Sequence, residues 1–380
     1  MHPLFVALSL VALQQDSGAF IVRIGSDTLS LEQYRRTATQ VRGEYVIRSP
    51  RSVHRIYTLD LNPDGTVRHI ELISHNIDGG PGPAETKLTA DFTGDSVVMV
   101  QPRGDSTVTS RVAVPRGTLP YTLHIYGMLE QIARWGKAAG KDSVPLSVVS
   151  SPTPSGGYVR RRGGDTIVVN FTQGQLAGLG PFTMRLDPAG RLVWLTGKGS
   201  TVQVEVQRLP WGAFNLAQYG PVFASRPLGQ LSVRDTARAS LSGAEVWVDY
   251  SRPMKRGREI FGNVVPWNTV WRTGANAATQ FNTPVALTVG GAQVPAGKYT
   301  LWTLPTPTGW KLIINKQTGQ WGTVYDPAQD LVRVDAKVET LAAPVEQLVI
   351  GFEPAGAPSM MTISWDRTKL SIPVAAKPGT

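Results

Sequence analysis

Apolar and polar residues alternate with a period of two along most of this chain, and the clearest alternating stretches come as a pair. "YTLDLNPDGTVRHIEL" (57–72) and "FTMRLDPAGRLVWLTG" (182–197) both place alternating residues on either side of an Asn/Asp-Pro-x-Gly quartet. Proline at the second turn position fixes φ for a tight reversal and glycine follows two residues later, so each segment predicts a β-hairpin. If Leu61 pairs with Thr66, then Tyr57, Leu59, Leu61, Ile70 and Leu72 share the core face, and His54, His69, Glu71 and His75 share the other. Alternation continues through "KLTADFTGDSVVMVQP" and "STVTSRVAV". "YTLHIYGMLEQIARWGKAAG" breaks it: Ile125, Met128, Leu129, Ile132 and Trp135 recur at helical spacing. Residues 20–210 thus read as a strongly curved antiparallel sheet carrying one amphipathic helix.

The period lapses in "LPWGAFNLAQYGPVFASRPLGQ" (209–230), which is rich in turn formers, so a linker is expected over 211–230. Eight short alternating runs follow: "AEVWVDY", "VALTV", "KYTLWTL", "WKLIIN", "LVRVDAKVE", "QLVIGFE", "MMTISW" and "LSIPV". They predict a second β domain over 231–380, of β-sandwich or jelly-roll type. The fold class is mainly β, in two domains, as a length of 380 residues favours. A curved sheet bearing one helix resembles the pattern of bacterial envelope lipid carriers, an analogy of architecture.

Composition sharpens this picture in three ways. Gly 39 and Pro 28 suit a sheet protein with many tight turns, and a net charge of +10 favours anionic partners. Cys 0 excludes disulfides, thiolate metal sites, cysteine nucleophiles and a lipoprotein anchor. Leu4–Leu13 is an apolar run of signal-peptide length, followed by small residues near Ala12 and at Ser17-Gly18-Ala19; no Lys or Arg precedes it. Residues 1–19 are therefore expected to be a signal peptide, with the start codon set too late, and the protein periplasmic or secreted. A buried first strand is the alternative. No other run is apolar enough to span a membrane.

The chemistry concentrates in "GREIFGNVVPWNTVWRTGANAAT" (257–279). From Ser251 to Tyr325 the only acid is Glu259, against eight Lys and Arg. Paired-carboxylate glycoside hydrolysis inside that stretch is excluded. The last histidine is His124, so the second domain cannot by itself supply a Ser-His-Asp triad or a conventional zinc site. "GGAQVPAGKY" (290–299) misses the phosphate-loop spacing and reads as a hairpin turn. The first-domain histidines read as a solvated face, so no metal and no cofactor is expected. The basic clusters "RRR" (160–162) and "RPMKRGR" (252–258) read as solvated loops, with no motif for nucleic acid beside them.

From about Ser232 onwards the chain resembles a bacterial family known as domain of unknown function 2911. The resemblance is carried by Ser251-Arg252-Pro253, Gly257-Arg258, Ile260-Phe261-Gly262 and Val270-Trp271-Arg272-Thr273-Gly274-Ala275-Asn276. Ala278-Thr279, Pro295-Ala296-Gly297, Tyr299, Asn315-Lys316, Gln320-Trp321-Gly322 and Trp365 extend it. It implies a secreted or periplasmic β-rich module with no assigned activity. The family usually has Glu where this chain has Ala277, so a catalytic acid there would be missing.

Three readings of the stretch follow. The favoured one is structural: Phe261, Trp267 and Trp271 fill the core, while Arg258 and Arg272 tie loops to carbonyls or to Glu346 and Asp366. The second gathers Arg252, Arg258, Arg272, Asn276 and Lys316 around a pocket walled by Trp271 and Trp321, for an anionic glycan, a lipid headgroup or another envelope component. The third is an enzyme of hydrolase type acting on an envelope substrate.

Overall fold

The computed structural model describes residues 16–376 apart from 105, 199, 201 and 354–357. The apolar run at residues 4–13 lies outside the described residues. Ser17-Gly18-Ala19 lies inside β1 (Asp16–Ile24), where Ala19 is fully buried and pairs with Gln33 on one side and Leu209 on the other.

Continuous alternation builds a long meander. β1 is followed by β2 (Asp27–Arg36), β3 (Gln40–Arg48) and β4 (Ser52–Leu61). β5 (Val67–Asn76), β6 (Glu85–Phe92), β7 (Ser96–Arg103) and β8 (Ser106–Ala113) continue it. After β9 (Leu119–Pro120) comes the helix α1 (Tyr126–Ala138). A second meander follows, of β10 (Ser143–Val149), β11 (Ser155–Arg161), β12 (Thr166–Phe171), β13 (Phe182–Leu186), β14 (Leu192–Thr196) and β15 (Glu205–Leu209). Among the described residues these make one 15-stranded sheet, in which β1 joins β15 and thereby splices the two meanders. The sheet rolls until β9, at one end of the order, lies beside β5 at the other half.

The rolled sheet wraps α1, whose Met128, Leu129, Ile132 and Ala133 are buried against Phe20, Tyr34, Tyr57 and Leu59. The helix start lacks a side-chain cap of its own. Glu32 on β2 substitutes, accepting from the Tyr126 and Gly127 N–H groups at 2.7 and 2.9 Å and from the Tyr57 hydroxyl at 2.7 Å. Further along, buried Glu130 accepts from the Tyr34 hydroxyl, the Leu192 N–H and Arg208. Arg208 and Arg134 then reach Asp16 at 3.2 and 2.6 Å. A helix lining a sheet core thus has its polar groups matched one by one, as a dry interior requires.

Both predicted hairpins form, each with one residue more than simple pairing allows. Leu61 pairs with Val67, not Thr66, because the register shifts between Asp60 and Leu61. The second hairpin shifts at the same place, between Arg185 and Leu186. Gly65 and Gly190 both take φ 79, the left-handed conformation that closes a four-residue turn with a bulge. The face assignment survives: His54 pairs with His75 outside the core, with Tyr57, Leu59 and Leu61 inside. Each histidine on that face meets a carboxylate on a neighbouring strand, His54–Glu44 at 3.5 Å, His69–Asp91 at 2.6 Å and His75–Glu85 at 3.4 Å.

Residues 211–230 hold a second helix, α2 (Leu216–Ser225), whose start is capped by the Asn215 side chain. Leu216 and Phe223 pack on Leu31 and Val46, on the outer face of the first sheet. The Ser52 hydroxyl donates to the Phe223 carbonyl at 2.8 Å, so this segment is docked for most of its length.

The remaining strands are β16 (Ser232–Leu241), β17 (Ala244–Pro253), β18 (Thr279–Thr283), β19 (Leu287–Val289) and β20 (Ala292–Val294). β21 (Gly297–Thr306), β22 (Gly309–Asn315), β23 (Asp330–Glu353) and β24 (Ser359–Ala376) complete them. Their order is β16-β17-β18-β21-β22-β23-β24-β19-β20. Four of the eight expected runs merge into the two long strands β23 and β24. Register shifts across Thr340–Val349 bend β23 instead of ending it. The bend brings Tyr250 of β17 against β23, where its hydroxyl donates to the Ile350 carbonyl and accepts from the Ile350 N–H. The result is a second, separate hydrophobic core. Among the described residues, no helix is long and apolar enough to cross a membrane.

Candidate functional site

The residues 254–278 between β17 and β18 form an irregular loop that serves both sheets. Its first part, read from sequence as solvated, is instead a tie. Arg256 is 7% exposed; its carbonyl accepts from the Ser26 N–H at 2.9 Å, and its guanidinium pairs with Asp27 at 2.5 Å. Glu346 accepts the Arg256 backbone N–H at 2.7 Å, and Asp366 pairs with Lys255 at 2.6 Å. Both carboxylates expected near Arg258 and Arg272 are therefore committed to their neighbours.

Arg258 behaves as the structural reading expects. Its Nε donates to the Lys255 carbonyl at 3.0 Å and its two terminal nitrogens to the Met254 carbonyl and to Gln203 at 2.9 Å. Arg272 does not. Among the described residues no hydrogen bond or ion pair reaches its guanidinium, and its Nε is buried without a partner. Desolvation lowers its pKa from the usual arginine value to about 10, which leaves the group charged at neutral pH. The expectation that Arg272 ties a loop is overturned: the two carboxylates expected for it, Glu346 and Asp366, bond Arg256 and Lys255 instead.

The backbone around Arg272 is held by strain and by pairing. Thr273 is fully buried at φ 53, an unusual conformation for a β-branched residue, and Asn276 sits at φ 59. Trp271 exchanges both backbone bonds with Thr303 at 2.8 Å, and the Thr279 hydroxyl donates to the Thr273 carbonyl at 3.0 Å. The aliphatic stem of Arg272 lies over Gly322, where any Cβ would collide with it. Gly322 in turn donates to the Asn276 carbonyl at 2.9 Å, fixing the Trp321 turn beside the loop. The Trp271 indole stacks on Trp365 with centroids 5.8 Å apart, and Phe261 meets Trp310 edge-on at 4.8 Å.

These elements open onto a cleft of about 640 Å³ between the two sheets. Arg258, Trp271, Arg272, Asn276 and Trp321 all line it. Arg252 and Lys316 do not: Arg252 pairs with Asp235 at 2.9 Å and bonds the Leu348 carbonyl, and Lys316 is exposed elsewhere. The first sheet contributes Ile24, Leu123, His124, Leu179 and Val202 to the opposite wall. Sequence reasoning treated the second domain alone and so missed this wall. His124, the last histidine of the chain, stands on it at φ 70 beside the start of α1, a placement that nothing in its sequence neighbourhood announces. Desolvation, with Arg55 adding to it, lowers its pKa to about 4, so the imidazole in the cleft is neutral at pH 7. No Asp or Glu lines the cleft among the described residues. The indole N–H groups of Trp321 and Trp365, both on the wall, are buried without acceptors.

Fold and cleft together define a two-sheet, β-rich protein with an arginine- and tryptophan-lined cavity at the junction. Residues 232–374 match the model of a family described as protein of unknown function (DUF2911), which covers the second sheet and bears out the resemblance read from sequence. No curated protein matches the chain. Among solved structures it is similar to a DUF1089 family protein from Pseudomonas aeruginosa, 14% identical, over 45% of this chain and 90% of that one, with a TM-score of 0.34. It is also similar to a β-barrel-like protein of domain of unknown function DUF1849 from Brucella abortus, 10% identical, over 52% and 95%, with a TM-score of 0.33.

Proposed function

We propose that this protein is an exported, non-catalytic binding module that takes an anionic ligand in the cleft between its two sheets. The observation that carries the reading is Arg272, a desolvated guanidinium with no partner among the described residues, on a wall to which none of them adds a carboxylate. A buried charge left unpaired costs stability, so its retention in a shaped cavity argues for a partner supplied from outside. Catalysis finds less support. Hydrolysis by paired carboxylates needs two acids, and a histidine base needs a third group to orient it; the wall offers His124 without a carboxylate.

Thermal unfolding of the full chain against acetate, benzoate, phosphate and glucuronate tests this. At least one anion is expected to raise the midpoint, since a ligand at a hundredfold its Kd adds about 2.7 kcal/mol. Arg272→Gln should abolish that rise while melting at or above the parent temperature. Arg258→Ala, by contrast, should lose about 1–3 kcal/mol, because three acceptors are stranded. An Arg272→Gln protein that melts as low as Arg258→Ala, with no anion shifting the parent, would return Arg272 to a structural role.

A further inference from the structure

We infer that the ligand is an amphipathic monoanion, a single carboxylate, sulfonate or sulfate head on an apolar acyl or aromatic body. This rests on the binding reading above and adds the class of ligand.

Among the described residues the cleft offers one guanidinium whose donors are uncommitted. All three nitrogens of the Arg258 guanidinium are spent on Lys255, Met254 and Gln203, and the imidazole on the opposite wall is neutral. Arg272 alone remains. A phosphate dianion or a polyanionic glycan would bring more acceptor oxygens than the free donors of Arg272 can satisfy, since Arg258 adds charge but its N–H groups are taken. The donors left for a ligand are the terminal nitrogens of Arg272, which carry no hydrogen bond among the described residues, whereas its Nε and the Trp321 and Trp365 indole N–H groups are sealed from solvent. An ionised carboxylate or sulfonate only accepts, so it complements them; a sugar ring, with a hydroxyl donor at most carbons, meets no carboxylate to receive it. Apolar residues make up much of the rest of the wall, among Ser, Thr and Gln side chains, and come from both halves: Leu123, Leu179 and Val202 from loops of the first, and Val264, Trp271 and Trp365 from the second. A volume of about 640 Å³ suits a ligand of drug or acyl-chain size, far more than a lone inorganic anion fills.

The test uses 8-anilinonaphthalene-1-sulfonate, itself an apolar monoanion, as a fluorescent probe on the full chain. Its emission should rise on binding, and dodecanoate below its micellar concentration should displace it. Dodecan-1-ol should displace it at least tenfold more weakly, and phosphate and glucuronate should not displace it. Arg272→Gln should weaken probe and dodecanoate by about ten- to a hundredfold, the worth of a charged hydrogen bond, and leave dodecan-1-ol unchanged. Arg272→Lys keeps the charge and should retain part of the affinity, which separates lost recognition from a damaged fold. Lys316→Gln, outside the cleft, should change nothing. If phosphate or glucuronate displaces the probe as well as dodecanoate does, the ligand class is wrong and the anion-binding reading stands. If Arg272→Gln binds probe and dodecanoate like the parent, both fail.

Discussion

Glu32 and His124 are two ionisable side chains at one end of α1, and burial pushes both towards neutrality. For Glu32, desolvation outweighs the bonds from Tyr57, Tyr126 and Gly127 and raises its pKa from 4.5 to about 7, with Glu130 adding to the rise. A raised carboxyl pKa means the folded state holds the proton more tightly. Its stabilisation is complete below pH 4.5 and is lost as the pH climbs to 7, on the order of 3 kcal/mol. His124 has the opposite sign. With its pKa lowered from 6.5 to about 4, the unfolded chain binds the proton better, so folding gains stability as the pH rises from 4 to 6.5. The two effects overlap and nearly cancel. Chemical denaturation of the parent should therefore give a nearly flat stability between pH 4.5 and 6.5. Glu32→Gln should be less stable, since one N–H loses its acceptor, and should gain stability with rising pH; His124→Asn, which tolerates the positive φ, should lose it. Parallel profiles for all three proteins would show that neither group is buried as described.

At the scale of elements, strand and turn identity was legible wherever local chemistry decides it. The Asn62 and Asp187 quartets announce their turns, and the helical spacing of Ile125, Met128 and Leu129 announces α1. The bulges opposite Leu61 and Leu186 left only a small trace, a step of three from Val67 to Ile70 and from Leu192 to Leu195 where alternation takes two, which simple pairing passes over. Nor was the continuity of β23: "TLAAPVEQ" reads as a break, and only pairing with β24 carries the strand through it. β1 was hidden for a different reason. Its small residues Ser17-Gly18-Ala19 follow an apolar run and so read as a cleavage site, yet Asp16 bonds both Arg134 and Arg208 and Ala19 sits between two strands. Removal of residues up to Ala19 would take half of a central strand. If the protein is exported, N-terminal sequencing of its mature form should find a start at or before Asp16, with the site near Ala12 favoured. Recovery from the cytoplasm alone with Met1 intact would refute export, and a mature start beyond Ala19 would contradict the role of β1.

The whole molecule is two separately cored sheets joined along a seam. The seam includes the Arg256–Asp27 pair, the Ser26 bond to Arg256 and the Arg258 bond to Gln203, while Leu228 and Gly229 bond Arg48 and Ser49 and so stay with the first sheet. Because α2, Leu228 and Gly229 are docked on the first sheet, limited proteolysis should cut just after them, around exposed Gln230, and release a C-terminal fragment of about 150 residues. Continuous degradation without that fragment would count against independent cores. The candidate site was half legible at this scale. Residue types pointed to five cleft positions, but a pattern within one domain cannot announce a wall donated by another. Arg252 and Lys316 were included on charge alone, and their partners lie elsewhere.

The seam has one more consequence. Neither sheet owns the cleft, so its affinity for any occupant contains the free energy of holding the halves together. The short stretch between Gly229 and Ser232, past the last bond to the first sheet, acts as a tether that sets the effective concentration of one wall before the other. Lengthening that tether would weaken binding with every contacting side chain left in place, as if a receptor and its co-receptor had been moved apart on a membrane.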